Sequence, residues 1–272
     1  MRIACVQMDV HLGETTVNID VVLRHLELLA AQGVQLVLFP ECALTGYAVG
    51  SLEAAWAIAI ESRDELRPIG ELCQRHNISA VVGYALQSDG KIYNSATLFM
   101  PTEGPYHYSK THLPVLGLDR FTTPGDALPL FETALGRIGI LICYDQRLPE
   151  PARTLALKGA DLIVLPTNWP DGANIAADYI SVARAAENRV FYATCNRVGN
   201  ENGFHFIGHS RIIDPDGRIV ADAGESEGVI IADIDLMRAR HKQRIVIEGE
   251  YETNEFTTRR PDLYRTSDQT GP

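Results

Sequence analysis

A cysteine that closes an apolar run and is followed at once by polar residues is well placed for nucleophilic chemistry. Gly139-Ile-Leu-Ile-Cys143-Tyr-Asp-Gln-Arg-Leu-Pro-Glu150 is such a segment. It reads as a strand ending at Cys143, with a helix starting about six residues later. The thiolate is the reactive form of cysteine, and helix N-termini and cations favour it. A sharp strand-to-helix turn also leaves the backbone N–H of Tyr144 free to bind an oxyanion. The other reading of Cys143 is a buried structural thiol, although the Tyr-Asp-Gln-Arg that follows shows the chain leaving the core. Glu41, in Phe39-Pro40-Glu41, directly follows another apolar run. Partial desolvation there raises a carboxylate toward general-base range, and capping a helix or pairing with an arginine is the alternative. Lys110, in Tyr108-Ser-Lys110-Thr-His-Leu-Pro114, is by itself an ordinary solvated loop lysine. A thiol attacking an amide needs a base, a charge for the developing oxyanion and a proton donor for the departing ammonia, and Glu41, Lys110 and the Tyr144 N–H supply that set.

The elements that must position them follow from periodicity and punctuation. Residues 3–10 form a strand, and Asn18 caps a helix running to about Ala31, with Val22, Leu26 and Leu29 on one stripe and Gly33 as its stop. Residues 34–39 are a continuous apolar strand, as expected where both faces are covered. A helix spans about 63–76, and residues 79–100 form strands around a Ser-Asp-Gly-Lys turn at 88–91. Residues 106–126 read as loop. Strands at 130–133 and 137–142 precede a helix at 149–158, whose first turn holds prolines. A strand at 161–165, a helix at 173–188, a strand at 190–196 and further strands over 210–234 complete the pattern. Ala31-Gln-Gly-Val-Gln-Leu-Val-Leu-Phe-Pro40 echoes Leu157-Lys-Gly-Ala-Asp-Leu-Ile-Val-Leu-Pro166, so each closes a βαβ unit of a pseudo-two-fold pair of sheets. Sites in such sheets gather at the carboxyl ends of strands. Glu41, Cys143 and Thr167–Trp169 all fall there.

A formal charge of −11 argues against nucleic acid or an anionic membrane as partner, since both need a basic face. No apolar run approaches a membrane span, and the N-terminus enters strand-like sequence without a signal segment. Five cysteines without paired spacing suit a reducing, cytoplasmic setting. His205-Phe-Ile-Gly-His209 has the i, i+4 spacing of a zinc pair but lacks the helix and the adjacent glutamate. No phosphate loop or dinucleotide fingerprint occurs, so no metal and no cofactor is expected. The chain reads as one domain, 1–272, with a polar arm from about 248.

The segments Phe-Pro-Glu41, Lys110-Thr-His-Leu-Pro and Ile-Cys143-Tyr-Asp-Gln-Arg-Leu-Pro-Glu resemble, in order, the three signature segments of the nitrilase superfamily of carbon–nitrogen hydrolases. The likeness continues through Leu-Pro-Thr-Asn-Trp (165–169), Ala-Arg-Ala-Ala-Glu-Asn-Arg (183–189) and the Arg-Arg-Pro-Asp-Leu-Tyr of the tail (259–264). The resemblance implies an α/β fold, a four-layer α-β-β-α sandwich, and a Glu41–Lys110–Cys143 set. In it Glu41 is the base, Lys110 steadies the tetrahedral intermediate, and Cys143 forms a thioester. It also implies a homodimer or larger assembly, pairing through helices near the nucleophile with the tail crossing the interface. The second glutamate usual after the lysine is absent; Asp119 either fills that role or pairs with Arg120 as a surface turn residue. Tyr144-Asp145 in place of Trp-Glu is amidase-like and favours a small-molecule amide, with N-carbamoyl amino acids and nitriles as alternatives within the superfamily. Tyr47, Asn168 and Trp169 are candidate substrate-binding residues, and Arg147 and Glu150 read as an ion pair holding the elbow. A non-catalytic binding module with a redox-sensitive Cys143 is the alternative of another class.

Overall fold

The computed structural model describes residues 1–264; the last part of the arm read from about 248 lies outside them. The first sheet takes β1 (Arg2–Gln7), β2 (Leu36–Leu38), β3 (Ser79–Ser88), β4 (Lys91–Phe99) and β5 (Tyr106–Ser109). The second takes β6 (Leu130–Thr133), β7 (Gly136–Ile140), β8 (Leu162–Pro166) and β9 (Phe191–Cys195). After a short hairpin, β10 (Asn200–Glu201) and β11 (Phe204–His205), the second sheet is extended by β12 (Arg211–Ile213) and β13 (Ile219–Asp222). The chain then returns to the first sheet as β14 (Gly228–Asp233), and β15 (Arg244–Ile247) pairs with β16 (Tyr251–Thr253) in the tail. The strand orders are β14-β1-β2-β3-β4-β5 and β13-β12-β9-β8-β7-β6, six strands each. In each sheet three parallel strands, β1-β2-β3 and β9-β8-β7, are flanked by antiparallel ones. The two echoing sequences form β2 and β8, the middle parallel strand of each set.

Alternation along the strands builds the layers. Ile3, Cys5, Leu36 and Leu38 pack against the second sheet, in one core with Ile138, Ile140 and Val164. Their neighbours Ala4, Val6 and Val37 point the other way, onto α1 (Thr15–Ala30) and α3 (Arg67–His76) through Val22, Leu26, Ile69 and Leu72. The short α2 (Leu52–Ile58) lies between those helices in sequence. On the far face of the second sheet sit α4 (Pro149–Lys158) and α5 (Ser181–Asn188), with Ala152, Leu155 and Ala185 buried. The result is the α-β-β-α sandwich.

Three local expectations change. Helix α1 begins at Thr15, so Asn18 is not its cap. Asn18 is instead fully buried, and its amide donates to the carbonyls of His11 and Leu44, pinning two loops. The stretch 106–126 is not all loop, because Tyr106–Ser109 adds β5 as the outer strand beside β4. The helix read over 173–188 carries a π-turn at Ala176–Ile180 before α5.

Candidate active site

Three strand ends converge, each held by its own backbone device. Beyond β2, Phe39 N–H donates to Val81 O at 2.9 Å, and Cys42 takes a left-handed φ of 49°. This presses Pro40–Cys42 onto β3 at Gly83, where a Cβ would lie 2.7 Å from Pro40 O and 2.9 Å from Glu41 Cα. Only glycine permits that approach, which aims the Glu41 carboxylate inward. Beyond β5, Lys110 is fixed by backbone bonds to Asn94 O and from Gly125 N, both 2.8 Å. Beyond β7, Leu141 N–H still bonds Val164 O at 3.0 Å, and the chain then turns sharply into a 3-10 helix, Cys143–Arg147. Cys143 adopts φ 43°. That left-handed conformation costs a β-carbon residue about 1–3 kcal/mol, strain of a kind that concentrates at functional sites.

The side chains meet in a buried ionic cluster. Lys110 Nζ donates to Glu41 Oε1 at 2.7 Å and to Asp119 Oδ2 at 2.5 Å. Asn94 Nδ2 bridges the same two carboxylates, at 2.7 Å to Glu41 Oε1 and 2.8 Å to Asp119 Oδ1. The Tyr47 hydroxyl donates to Asp119 Oδ2 at 2.8 Å. Asp119 is therefore buried on Lys110, not paired with Arg120 at the surface; the Arg120 guanidinium donates to Gly50 O. Burial raises the Glu41 pKa, only partly offset by Lys110, and the Asp119 charge raises it further. For Lys110, burial favours the neutral amine, but the carboxylates of Asp119 and Glu41 outweigh it and hold the pKa well above the usual lysine value.

Cys143 lies within electrostatic reach of both Glu41 and Lys110. Burial first, then the Glu41 charge, pushes its pKa up to about 12, while Lys110, Thr167 and the Asn168 backbone N–H pull it down. At neutral pH the resting group is thus a thiol. Its proton leaves during attack, to a base beside it.

A cavity of about 260 Å³ opens at Cys143, lined by Pro114, Leu116, Tyr144, Arg147, Asn168 and Trp169 among others. Tyr47 is not on its wall: this side chain is buried behind the cluster, its ring 5.9 Å from Lys110 Nζ. Arg147 and Glu150 form no ion pair with each other among the described residues. Arg147 sits at the cavity rim, and the elbow is braced instead by Arg184, which donates to Gln146 O and Arg147 O at 3.0 and 3.3 Å and pairs with Glu187 at 2.9 Å. His205 and His209 face different carboxylates, Asp171 for the first and Asp222 and Glu225 for the second.

Three supporting residues escaped the sequence reading. Asn94 had one signal, a residue poor in strand propensity inside a buried strand. Asp145, wholly buried, accepts from Ile142 N, Tyr108 OH, Thr111 Oγ1 and His112 N, tying the cysteine turn to the lysine segment. Glu201 accepts from the N–H groups of Tyr47 and Ala48 and pairs with the buried Arg197 at 2.7 Å.

Fold and site together describe a hydrolase built around a cysteine, and comparison with known proteins agrees. Residues 2–244 match the family described as carbon-nitrogen hydrolase. A probable nitrilase of Schizosaccharomyces pombe is 32% identical over 272 residues, 97% of either chain. An (R)-stereoselective amidase of Pseudomonas sp. is 32% identical over 263 residues, 92% of this chain and 94% of that one. The amidase from Nesterenkonia sp. AN1, solved as a variant showing the result of Michael addition of acrylamide at its active site cysteine, superimposes with a TM-score of 0.76 at 25% identity, covering 89% of this chain and 96% of that one. The chain belongs to the carbon-nitrogen hydrolase family. Within it, this is a cysteine-dependent hydrolase of non-peptide carbon–nitrogen bonds, with the Glu–Lys–Cys set general to the superfamily.

Proposed function

We propose that the protein is an amidase that releases ammonia from a small linear amide through a thioester on Cys143. The observation that carries this is the Lys110 ammonium, clasped by Glu41 and Asp119 within electrostatic reach of a neutral thiol that lines a cavity. Glu41 takes the thiol proton as sulfur bonds to the amide carbon. Lys110 and the Tyr144 N–H, which heads a 3-10 turn and has no partner within it, hold the oxyanion. The tetrahedral intermediate collapses, its carbon–nitrogen bond breaks, and the nitrogen leaves as ammonia with the proton Glu41 had taken. Water, deprotonated by Glu41, then attacks the thioester; the acid departs and the proton returns to sulfur. Asp119 and Asn94 position Lys110 and Glu41, and Tyr47 positions Asp119.

Tyr144-Asp145 after the nucleophile favours amides over nitriles. The five cysteines, all free and buried, fit a cytoplasmic setting. Exposed apolar residues on the described surface fit a homodimer or larger assembly.

The test is ammonia release across aliphatic amides, ω-amides, N-carbamoyl amino acids and nitriles, with mass spectrometry of the acyl-enzyme. Cys143→Ala is expected to stay folded and lose at least about 10³-fold in turnover. Near wild-type turnover in that variant would sink the assignment, and turnover of nitriles alone would move the substrate class.

A further inference from the structure

The buried polar side chain in the cavity wall is Asn168. It is 1% exposed, and neither its Oδ1 nor its Nδ2 has a hydrogen-bond partner among the described residues. Asn168 lines the same cavity as Cys143, and its backbone N–H is among the groups that lower the Cys143 pKa. Most of the wall around it is apolar, with Pro114, Leu116, Trp169 and Ala173, while Arg147 and Asp171 also line the cavity.

Asn196, buried nearby, shows what a structural asparagine looks like in this fold. Its Oδ1 accepts from Trp169 N at 2.8 Å, and its Nδ2 donates to Gly208 O at 2.7 Å. Every edge of that amide is used to hold backbone. The Asn168 amide holds nothing, yet a buried unpaired donor and acceptor are costly to keep.

A carboxamide offers an acceptor and a donor side by side. The group that satisfies both at once presents a donor and an acceptor in the same order, as another carboxamide or a ureido group does. Resting on the amidase reading above, we propose that Asn168 determines specificity by selecting amides that carry a second carboxamide or ureido group over hydrocarbon amides of the same length. Apolar walls sense size, and a hydrogen-bonding residue sunk among them rejects analogues that leave it unpaired.

The experiment compares butanediamide with 4-methylpentanamide, in which an isopropyl group of the same shape replaces the second carboxamide, and with succinamate. The wild type is expected to favour the diamide over the hydrocarbon amide about 10- to 100-fold in kcat/KM, mainly through KM. Asn168→Leu should bring that ratio to about one by losing on the diamide while keeping the hydrocarbon amide. Equal losses on both substrates would show a structural role and overturn the proposal. So would a preference for succinamate that Asn168→Leu leaves intact, which would put recognition at Arg147. Asn168→Ser, smaller and still polar, serves where the leucine variant fails to fold, with the same ratio as readout. Failure of the amidase reading shows separately, as no ammonia from any of the three. In that event the thermal shift of Cys143→Ala protein by butanediamide, with and without Asn168→Leu, decides: a shift abolished by the leucine supports the subsite, and one unchanged overturns it.

Discussion

Lys110 brings one positive charge to two buried carboxylates, so Glu41, Lys110 and Asp119 together leave an excess negative charge away from water. Such clusters persist only when hydrogen bonds spread the charge, and Asn94 does this with both protons of one amide nitrogen. The arrangement also sets the base. Asp119 disfavours ionisation of Glu41, as burial does, so the acid limb of activity should fall above the ordinary carboxylate range. The sign for a variant follows. Asp119→Asn removes a charge that raises the Glu41 pKa, so the acid limb of kcat/KM should move to lower pH, with kcat down about 10- to 100-fold from a less firmly held lysine. An acid limb that stays in place or moves up would refute the coupling; a pH–rate profile measures it. Glu41 and Cys143 stood out because each directly follows an apolar run; Lys110, an ordinary loop lysine by itself, stood out only in their company and through the family resemblance of its segment. Asn94 and Asp119 were obscure in role because their partners lie 53 and 25 residues apart along the chain, at distances no local pattern encodes.

The connection that matters most between elements runs through Asp145. Its carboxylate receives the Ile142 N–H at 2.9 Å from the cysteine turn, and Tyr108 OH at 2.7 Å and His112 N at 2.9 Å from the lysine segment. Nucleophile and ammonium are thereby spaced by one side chain. Asp145→Ala would leave several buried donors unpaired, and we expect Tm to fall by about 5–10 °C with kcat reduced at least about 10-fold. Calorimetry and steady-state kinetics check this; an unchanged Tm would remove Asp145 from the framework. His112 Nδ1 also meets Asp145, at 2.8 Å, and this bond raises the His112 pKa above its usual value. Since the folded pKa exceeds the unfolded one, the added stability is fully present below the unfolded histidine pKa and is lost as pH rises through the folded one. The Tm gap between wild type and His112→Ala should therefore be widest in mild acid and narrow as pH rises past neutrality. A gap that widens with pH would contradict the pairing. At this scale α4 was readable to the residue, because prolines open it and Gly159, at φ 102°, ends it. The hairpin β3–β4 was readable from its Asp89-Gly90 turn. Strand β5 was not, since its Tyr106 and Tyr108 alternate with histidine and serine in a stretch otherwise rich in proline and glycine. Arg184 was not either, because its hydrogen bonds reach carbonyls 38 and 37 residues away.

For the whole molecule, the echo between residues 31–40 and 157–166 carried the architecture. Both copies became the central parallel strand of a sheet, and the site lies where the carboxyl ends of the two sets approach. The echo says nothing of what covers the outside. Beyond the second sheet the described surface exposes large apolar residues that a lone chain gains nothing from showing to water: Ile175 at 51% and Tyr179 at 71% ahead of α5, and Ile245, Val246 and Ile247 at 57, 51 and 53% in β15. Phe256 holds the tail near α4, its ring 5.4 Å from the Arg153 guanidinium and 4.8 Å from Lys242 Nζ. Tail and helices thus offer apolar surface on the nucleophile's side of the sandwich, of the kind that marks association sites. Sedimentation velocity on the full chain at micromolar concentration should show a dimer or larger species. Removing residues 244–272, β15 included, should shift the equilibrium toward monomer by at least about 10-fold in dissociation constant, because one apolar contributor to the interface is lost. Tyr179→Glu should do the same from the helix side, by placing a charge where burial is needed. A full-length chain that sediments as a monomer would end the proposal outright. One whose assembly is untouched by both changes would place the interface elsewhere on the molecule.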